Sequence, residues 1–172
     1  MVVGWFLFLI ATVAAEPPDA CETMDPSHGG TPQKSPPPYQ FYLHSDVIPN
    51  RLSAHFAIKS ANPDVQFSGF MVQARDDTGK PIGEFDTGCV DIRVMTCFGV
   101  FANTAIHLDS EPKTEAHMRW LPDIDFVGNV TFFTTVAQSR QVYWVRHPAR
   151  KLQVIQEDSP RRQTPTTNPT QP

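Results

Sequence analysis

Alternating apolar and polar positions run through the middle of this chain, and they predict β-strands. The stretch NVTFFTTV shows the alternation clearly, and its inward face would carry Val130, Phe132, Thr134 and Val136. The same period of two recurs in RLSAHFAI, VDIRVMT and HMRWL, whose inward residues would be Leu52, Ala54, Phe56, Ile58, Val90, Ile92, Val94, Met118 and Trp120. No segment shows the apolar stripe of an amphipathic helix. The pattern therefore predicts an all-β chain.

Strands of this kind bury their apolar faces by stacking sheet on sheet. Short β-branched and aromatic runs, separated by Gly, Pro, Asn and Asp, indicate roughly eight or nine strands. Two antiparallel sheets about 10 Å apart would cover the apolar faces of these strands. We therefore expect a two-sheet antiparallel β-sandwich.

The stretch FSGFMVQARDDTGKPIGEF predicts a hairpin. Residues 70–74 would form a core strand, and residues 76–79 a polar turn in which Gly79 adopts a positive φ. Residues 81–85 would be the returning strand. Because proline has no N–H to donate, that strand would begin at Pro81 or lie at a sheet edge.

The stretch QVYWVR is apolar on both of its faces. Val142 and Trp144 alternate with Tyr143 and Val145, so a strand here needs cover on its second side as well. Residues 17–38 contain the runs EPP and SPPPY, which favour an extended segment lying over a surface. We expect this segment to cover the second face if Cys21 holds it in place.

The two ends of the chain differ in composition from its centre. Residues 1–15 carry no charged side chain and end in small residues, which predicts a secretory signal peptide rather than a spanning helix or a buried strand. Residues 16–155 would form one folded domain. Residues 156–172 are rich in Pro and Thr, which indicates a disordered tail, an O-glycosylated stalk or a linker. The predicted protein is secreted and extracellular, without a membrane span.

The formal net charge of −4 argues against nucleic acid as a partner, because phosphate binding requires clustered Lys and Arg. The charge is unevenly distributed. From Arg140 onwards, six basic residues accompany two acidic ones, so the C-terminal part is locally positive. This excess is typical of a solvated edge and also of an anion-binding patch.

Residues capable of covalent or metal chemistry are few. Secretion would allow one disulfide among Cys21, Cys89 and Cys97, and would leave one thiol free or bonded to another chain. Asn129 begins the one N-glycosylation sequon, Asn-Val-Thr, and would point outward from its strand. The six histidines lack metal-site spacing and no nucleophile elbow is present. We therefore expect no metal, no cofactor and no catalytic residue.

A series of short motifs resembles the reeler domain family, named after the N-terminus of reelin. The first motif is CETMDPSHGGTPQ and the second is FSGFMVQARDDTGKPIGEF. The family's later blocks are matched in order by MTCFGVFANTAIHLDS, MRWLP, GNVTFFTTVAQ and VYWV. The resemblance extends over residues 21–145.

This resemblance implies an immunoglobulin-like β-sandwich with a disulfide between Cys21 and Cys97. In the chain-entropy model, a closure of 76 residues stabilises the fold by about 4 kcal/mol. Cys89 has no counterpart in the family pattern. A Cys89–Cys97 pair and an intermolecular bond from Cys89 therefore remain alternatives.

Reeler domains occur in small secreted insect defence proteins, at the head of matrix proteins, and before a DOMON domain in ferric-chelate reductase-like membrane proteins. Similarity to the first group implies a non-enzymatic defence protein that binds microbial cell-wall polysaccharides or lipopolysaccharide. A cationic sheet face would contact such ligands, with Arg146, Arg150 and Lys151 as candidate residues. The alternatives are an adhesion or matrix module, and the N-terminal reeler part of a reductase-like protein.

Overall fold

The computed structural model describes residues 19–157, which form a β-sandwich of two sheets. The predicted signal peptide, residues 1–15, lies outside the described residues, as does nearly all of the predicted tail, residues 156–172. The all-β sandwich predicted from the alternation is confirmed, although it contains ten strands where roughly eight or nine were expected.

One short helix and ten strands make up the described range. In chain order they are α1 (Ala20–Thr23), β1 (Tyr39–Leu43), β2 (Val47–Pro49), β3 (Ala54–Ser60), β4 (Gly69–Asp76), β5 (Glu84–Phe85), β6 (Ile92–Cys97), β7 (Val100–His107), β8 (Glu115–Leu121), β9 (Gly128–Ala137) and β10 (Tyr143–Ile155). Within residues 19–157 no helix is long and apolar enough to cross a bilayer.

The strands divide into a four-stranded sheet and a six-stranded sheet. Their spatial orders are β1-β3-β8-β5 and β2-β10-β9-β4-β7-β6. Every named strand pair is antiparallel except β2 with β10, which is parallel and departs from the expected antiparallel arrangement. The short link between β1 and β2 carries the chain from one sheet to the other, so β2 enters beside β10 instead of folding back on β1.

The core lies between the inner faces of the two sheets, and aromatic contacts join them. The Phe56 ring of β3 stacks on the Phe132 ring of β9 with centroids 5.0 Å apart, and Trp120 of β8 meets Phe132 edge-on at 5.5 Å. Two predicted inward residues are instead exposed: Leu52 by 54% and Val90 by 83%. Both precede their strands, which begin two residues later, so the alternation was extended too far towards the N-terminus.

The polar turn after β4 forms as predicted, but the returning strand does not. Gly79 adopts a φ of 82°, and Asp76 Oδ1 accepts hydrogen bonds from the backbone N–H groups of Thr78 and Lys80. Burial raises the pKa of Asp76, but the hydrogen bonds from Thr78 and Lys80 outweigh it and lower that pKa overall. Only an isolated bridge involving Pro81 continues the hairpin.

The chain then crosses to the other sheet, where β5 pairs with β8. Gly83 makes the crossing possible, because a Cβ there would lie 2.3 Å from the Leu121 carbonyl oxygen and 2.5 Å from the Trp120 ring. Its φ of 65° also favours glycine. The predicted returning strand at residues 81–85 was therefore wrong, since close packing against β8 competes with the local hairpin signal.

A segment that we call the strap, residues 19–33, covers part of the outer face of the six-stranded sheet. Its Cys21 forms a disulfide with Cys97 at the end of β6, the pair that the family resemblance implied. Further along, the Tyr143 hydroxyl donates a hydrogen bond to the Gly30 carbonyl at 2.8 Å. The prediction that the N-terminal segment covers the second face of the QVYWVR strand is confirmed.

Replacement of both bonded cysteines, Cys21→Ser with Cys97→Ser, should lower the free energy of unfolding by about 4 kcal/mol, because the unfolded chain regains the freedom of a long loop. Urea unfolding of the purified protein measures the loss. Cys89→Ser, which removes the one unpaired thiol among the described residues, is the matched control and should change stability by less than about 1 kcal/mol. A double variant as stable as the parent would contradict a structural role for the disulfide.

Candidate functional site

The candidate ligand residues Arg150 and Lys151 line an open groove of about 640 Å³ on the six-stranded sheet. Strand β10, the start of β9, the turn after β4 and the link before β2 form its walls. Most of its polar atoms come from seven residues: Asp46, Asp77, Asn129, Thr131, Arg150, Lys151 and Gln153. The groove therefore presents carboxylates, amides, a hydroxyl and two cations together.

Strand periodicity directs the side chains of Lys151 and Gln153 outward. In the register of β10 against β9, Lys151 pairs with Thr131 and Gln153 with Asn129. The intervening Leu152 is buried in the core. Alternate residues of a strand point to opposite faces, so Lys151 and Gln153 lie on the outer face.

The two cations of the groove differ in their electrostatic surroundings. Arg150 Nη2 lies 2.6 Å from Asp46 Oδ1, and this ion pair compensates the charge of Arg150. Lys151 is exposed and forms no ion pair with any residue of the described range. Among the described residues, Lys151 is therefore the groove cation that carries no ion pair, although the carboxylate of Asp77 lines the same groove.

Arg146, the third candidate, lies outside the groove lining. It adopts a φ of 49° at an irregularity of β10, and its N–H donates to Thr135 Oγ1 at 3.0 Å. Its guanidinium carbon lies 5.6 Å from the centroid of the Phe133 ring, a cation–π distance. The structure thus places Arg150 and Lys151 in one groove and Arg146 on a neighbouring aromatic residue.

Asn129, the predicted glycosylation site, also lines the groove. Its Nδ2 donates a hydrogen bond to Asp77 Oδ2 at 3.1 Å. The side chain is exposed on β9, as the alternation predicted. Two separate sequence predictions, a glycan acceptor and a cationic ligand surface, therefore fall on the same groove.

Beside the groove, beneath the strap, lies a buried arginine that the sequence reasoning did not single out. Arg75 is 1% exposed, and its Nη2 donates hydrogen bonds to the carbonyls of Cys21 and Glu22, both at 2.9 Å. Gln73 Oε1 accepts from Nη2 at 2.6 Å, and the Gly79 carbonyl accepts from Nη1 at 3.3 Å. Burial lowers the pKa of Arg75, with a further decrease from Arg146 that the carboxylate of Glu22 opposes.

The hydrogen-bond network extends from this arginine to both ends of the disulfide. Gln73 Nε2 donates to the Cys21 carbonyl at 3.2 Å and to Thr104 Oγ1 at 3.0 Å. Asn103 bonds to both the N–H and the carbonyl of Cys97, at 2.9 and 3.0 Å. The motifs CET, QAR and ANT thus meet in one cluster. A glutamine and an arginine two residues apart on one face of a strand that begins apolar, Gln73 and Arg75, were the signal that could have located it.

In the described part of the chain, the remaining side chains capable of covalent or metal chemistry do not cluster into a site. Cys89 carries a free thiol and is partly buried beside the core. Between residues 19 and 157, no three His, Cys, Asp or Glu side chains are close enough together to hold a metal ion.

Comparison with known families and proteins gives a consistent pattern. The Reeler domain family matches residues 19–160. The chain is 31% identical over 142 residues to Defense protein l(2)34Fc of Drosophila melanogaster, covering 80% of this chain and 86% of that protein. It is also 30% identical over 136 residues to Ferric-chelate reductase 1 of Bos taurus, covering 75% of this chain and 22% of that protein.

The reductase relatives are much longer than the region that they share with this chain. A Drosophila melanogaster protein named as a ferric-chelate reductase 1 homolog is 30% identical over 163 residues, which span 91% of this chain but 25% of that protein. Among solved structures, the Reelin-N domain of F-spondin has a TM-score of 0.59 at 16% identity, covering 75% of this chain and 93% of that domain. This structural likeness concerns the fold alone.

Replacement of Arg75 by Met should destabilise the protein by about 3 kcal/mol, because the Cys21 and Glu22 carbonyls and Gln73 Oε1 lose their buried donors. Chemical denaturation followed by tryptophan fluorescence measures this loss. Arg93→Met, at an exposed arginine of β6, is the matched control and should change stability by about 0.5 kcal/mol or less. Equal effects of the two substitutions would show that the buried hydrogen bonds are not needed for stability.

Proposed function

Because the chain belongs to the reeler domain family, we propose that it is a secreted defence protein that binds microbial surface polysaccharides or lipopolysaccharide. The observation that carries this proposal is coverage: the chain spans 86% of Defense protein l(2)34Fc, a relative whose name states a defence role. The proteins named as reductases share only a reeler portion with this chain, about a quarter of their length or less.

The groove beside Asn129 and Lys151 supplies chemistry that suits a sugar polymer. Hydroxyl-rich ligands need interspersed donors and acceptors, and the amides of Asn129 and Gln153 offer both. Lys151 provides a cation for a phosphate or carboxylate of the polymer. The volume of about 640 Å³ lies within the range of ligand sites. Its open form suits a chain that runs across the surface.

Two features of the chain are consistent with secretion. Residues 1–15 have the pattern of a signal peptide. The disulfide between Cys21 and Cys97 belongs to an oxidising compartment, because the thiols of cytosolic proteins are kept reduced. In such a compartment, Asn129 would also be a candidate for glycosylation.

A glycan on Asn129 would stand inside the proposed binding groove. The glycosylated nitrogen would be Nδ2, the atom that now donates to Asp77. The first sugars would therefore compete with an external polysaccharide for the same polar atoms. Binding should be compared with the glycan present and absent, with Asn129→Gln as the unglycosylated form.

A second candidate function has support of its own. The match to the Drosophila melanogaster protein named as a ferric-chelate reductase 1 homolog covers 91% of this chain, more than the defence protein match does. The chain could thus represent the reeler portion of a reductase-like protein. The transcript decides between the two settings: a DOMON domain or membrane helices encoded after Pro172 would favour the reductase-like protein.

Two substitutions in the groove should change binding in opposite directions. With Asn129→Gln as the background, Lys151→Ala should weaken binding to lipopolysaccharide and lipoteichoic acid by about twofold to fivefold, the effect of one exposed charge pair. Asp46→Asn should strengthen binding by a similar factor, because it releases Arg150 from its ion pair. Biolayer interferometry on immobilised polymer, repeated at high salt, measures both changes.

Arg93→Ala, on the opposite edge of the same sheet, is the control and should leave binding unchanged. The parent protein is also tested against β-glucan. Absence of binding to all three polymers would reject the defence-type function, whereas unchanged binding in both groove variants would reject only the groove.

A further inference from the structure

A second cavity, of about 450 Å³, lies between the strap and the outer face of the six-stranded sheet. Its base consists of the side chains of Met71 from β4, Ile106 from β7 and Met24 from the strap. These three residues are between 0% and 7% exposed. The cavity base is therefore apolar and is built from the protein core, not from mobile surface side chains.

The cavity exists because the strap is fixed at two points and bends away from the sheet between them. Thr135 Oγ1 donates to the Met24 carbonyl at 2.7 Å, and the Tyr143 hydroxyl holds Gly30. Between these contacts, Ser27 has a φ of 52° and Gly29 a φ of 79°. These left-handed residues turn the chain outward, so that Pro26 and His28 form a wall of the cavity instead of filling it.

Gly69 at the start of β4 helps to keep this space open. A Cβ at this position would lie 3.4 Å from the nearest ring atom of His107 and 3.7 Å from the Ala137 Cβ, which is ordinary contact. A longer side chain would extend beyond these neighbours into the cavity that Gly69 lines. The position therefore allows the cavity to be filled by substitution without displacing the backbone.

The rim of the cavity is polar and carries the positive charge of Arg140. Arg140, in the hairpin between β9 and β10, is an exposed lining residue, as are His28 and Ser110, while Ser68 is half-buried. Within residues 19–157, neither Arg140 nor His28 forms an ion pair with a carboxylate. The neighbouring Asp109 is already paired with Lys113 at 3.1 Å.

We propose that this cavity binds a small amphipathic acid, a hydrocarbon chain with a carboxylate head such as a medium-chain fatty acid. The chain lies on the apolar base formed by Met24, Met71 and Ile106, and the carboxylate faces Arg140. An apolar pocket with a few convergent polar groups is the general form of a small-ligand site. The site is separate from the groove beside Lys151, so it does not depend on polysaccharide binding.

Two properties of binding follow from this arrangement. Each methylene added to the ligand should strengthen binding by about fourfold until the cavity is filled. The acid should bind more tightly than the alcohol of the same length, because only the acid carries a charge for Arg140. A pocket that binds hydrocarbon chains without recognising the carboxylate would show the dependence on chain length but no preference for the acid over the alcohol.

Isothermal titration calorimetry with hexanoate, octanoate, decanoate and octanol tests the proposal on the full chain. Gly69→Leu should weaken octanoate binding at least about tenfold, because filling the cavity excludes more than one methylene. Arg140→Gln should remove the preference for octanoate over octanol and leave octanol binding unchanged. The controls Gly88→Leu and Arg51→Gln, at a glycine and an exposed arginine outside the cavity, should behave as the parent protein.

Arg140 is exposed, so its substitution should not affect folding, which circular dichroism verifies for each variant. The proposal is overturned if the parent protein does not bind octanoate, or if Gly69→Leu binds it as the parent does. It is also overturned if Arg140→Gln keeps the preference for the acid. Lys151→Ala should bind octanoate normally, which separates this site from the polysaccharide groove.

Discussion

The hydrogen bonds of the buried Arg75 guanidinium are the interaction on which the outer face of the six-stranded sheet depends. The guanidinium is buried without a bonded carboxylate, and its hydrogen-bond acceptors are carbonyl oxygens of the strap and of the turn after β4 and the side-chain oxygen of Gln73. A buried cation is tolerated only when such acceptors replace water, so the strap, the turn and β4 must be in place together. The disulfide fixes the same strap at Cys97, which places a covalent and an electrostatic constraint on one short segment.

The position of the strap divides the outer face of the six-stranded sheet into regions of different chemistry. Beneath its first residues lies the buried polar cluster of Gln73 and Arg75. Where the strap bends outward at Ser27, an apolar cavity opens against β4 and β7. Beyond its reach, β10 and the start of β9 form the polar groove that contains Lys151. The two proposed ligand surfaces are thus separated by one covering segment.

Strand periodicity sufficed to predict part of the candidate site. The outward direction of Asn129 was predicted from the alternation, and Lys151 lies on the same outer face because it alternates with the buried Leu152. The ion pair between Arg150 and Asp46 could not be predicted, since Asp46 precedes β2, and β2 joins β10 only through a sheet crossover. Arg146 was separated from the other candidates by a bulge, which shifts register and leaves no clear trace in the pattern.

By itself, the sequence determined the all-β class, which residues of β8 and β9 face the core, and the turn at Gly79. Through its motifs it also determined the pairing of Cys21 with Cys97. Each of these follows from residues close together in the chain or from an ordered series of short motifs. The tertiary structure alone decided that residues 81–85 leave β4 for the other sheet, that β2 runs parallel to β10, and that Arg75 is buried under the strap. These features depend on contacts between distant residues, such as Gly83 against Leu121 and Trp120. The alternation of apolar and polar residues is compatible with more than one local conformation, and packing between the two sheets decides which one forms.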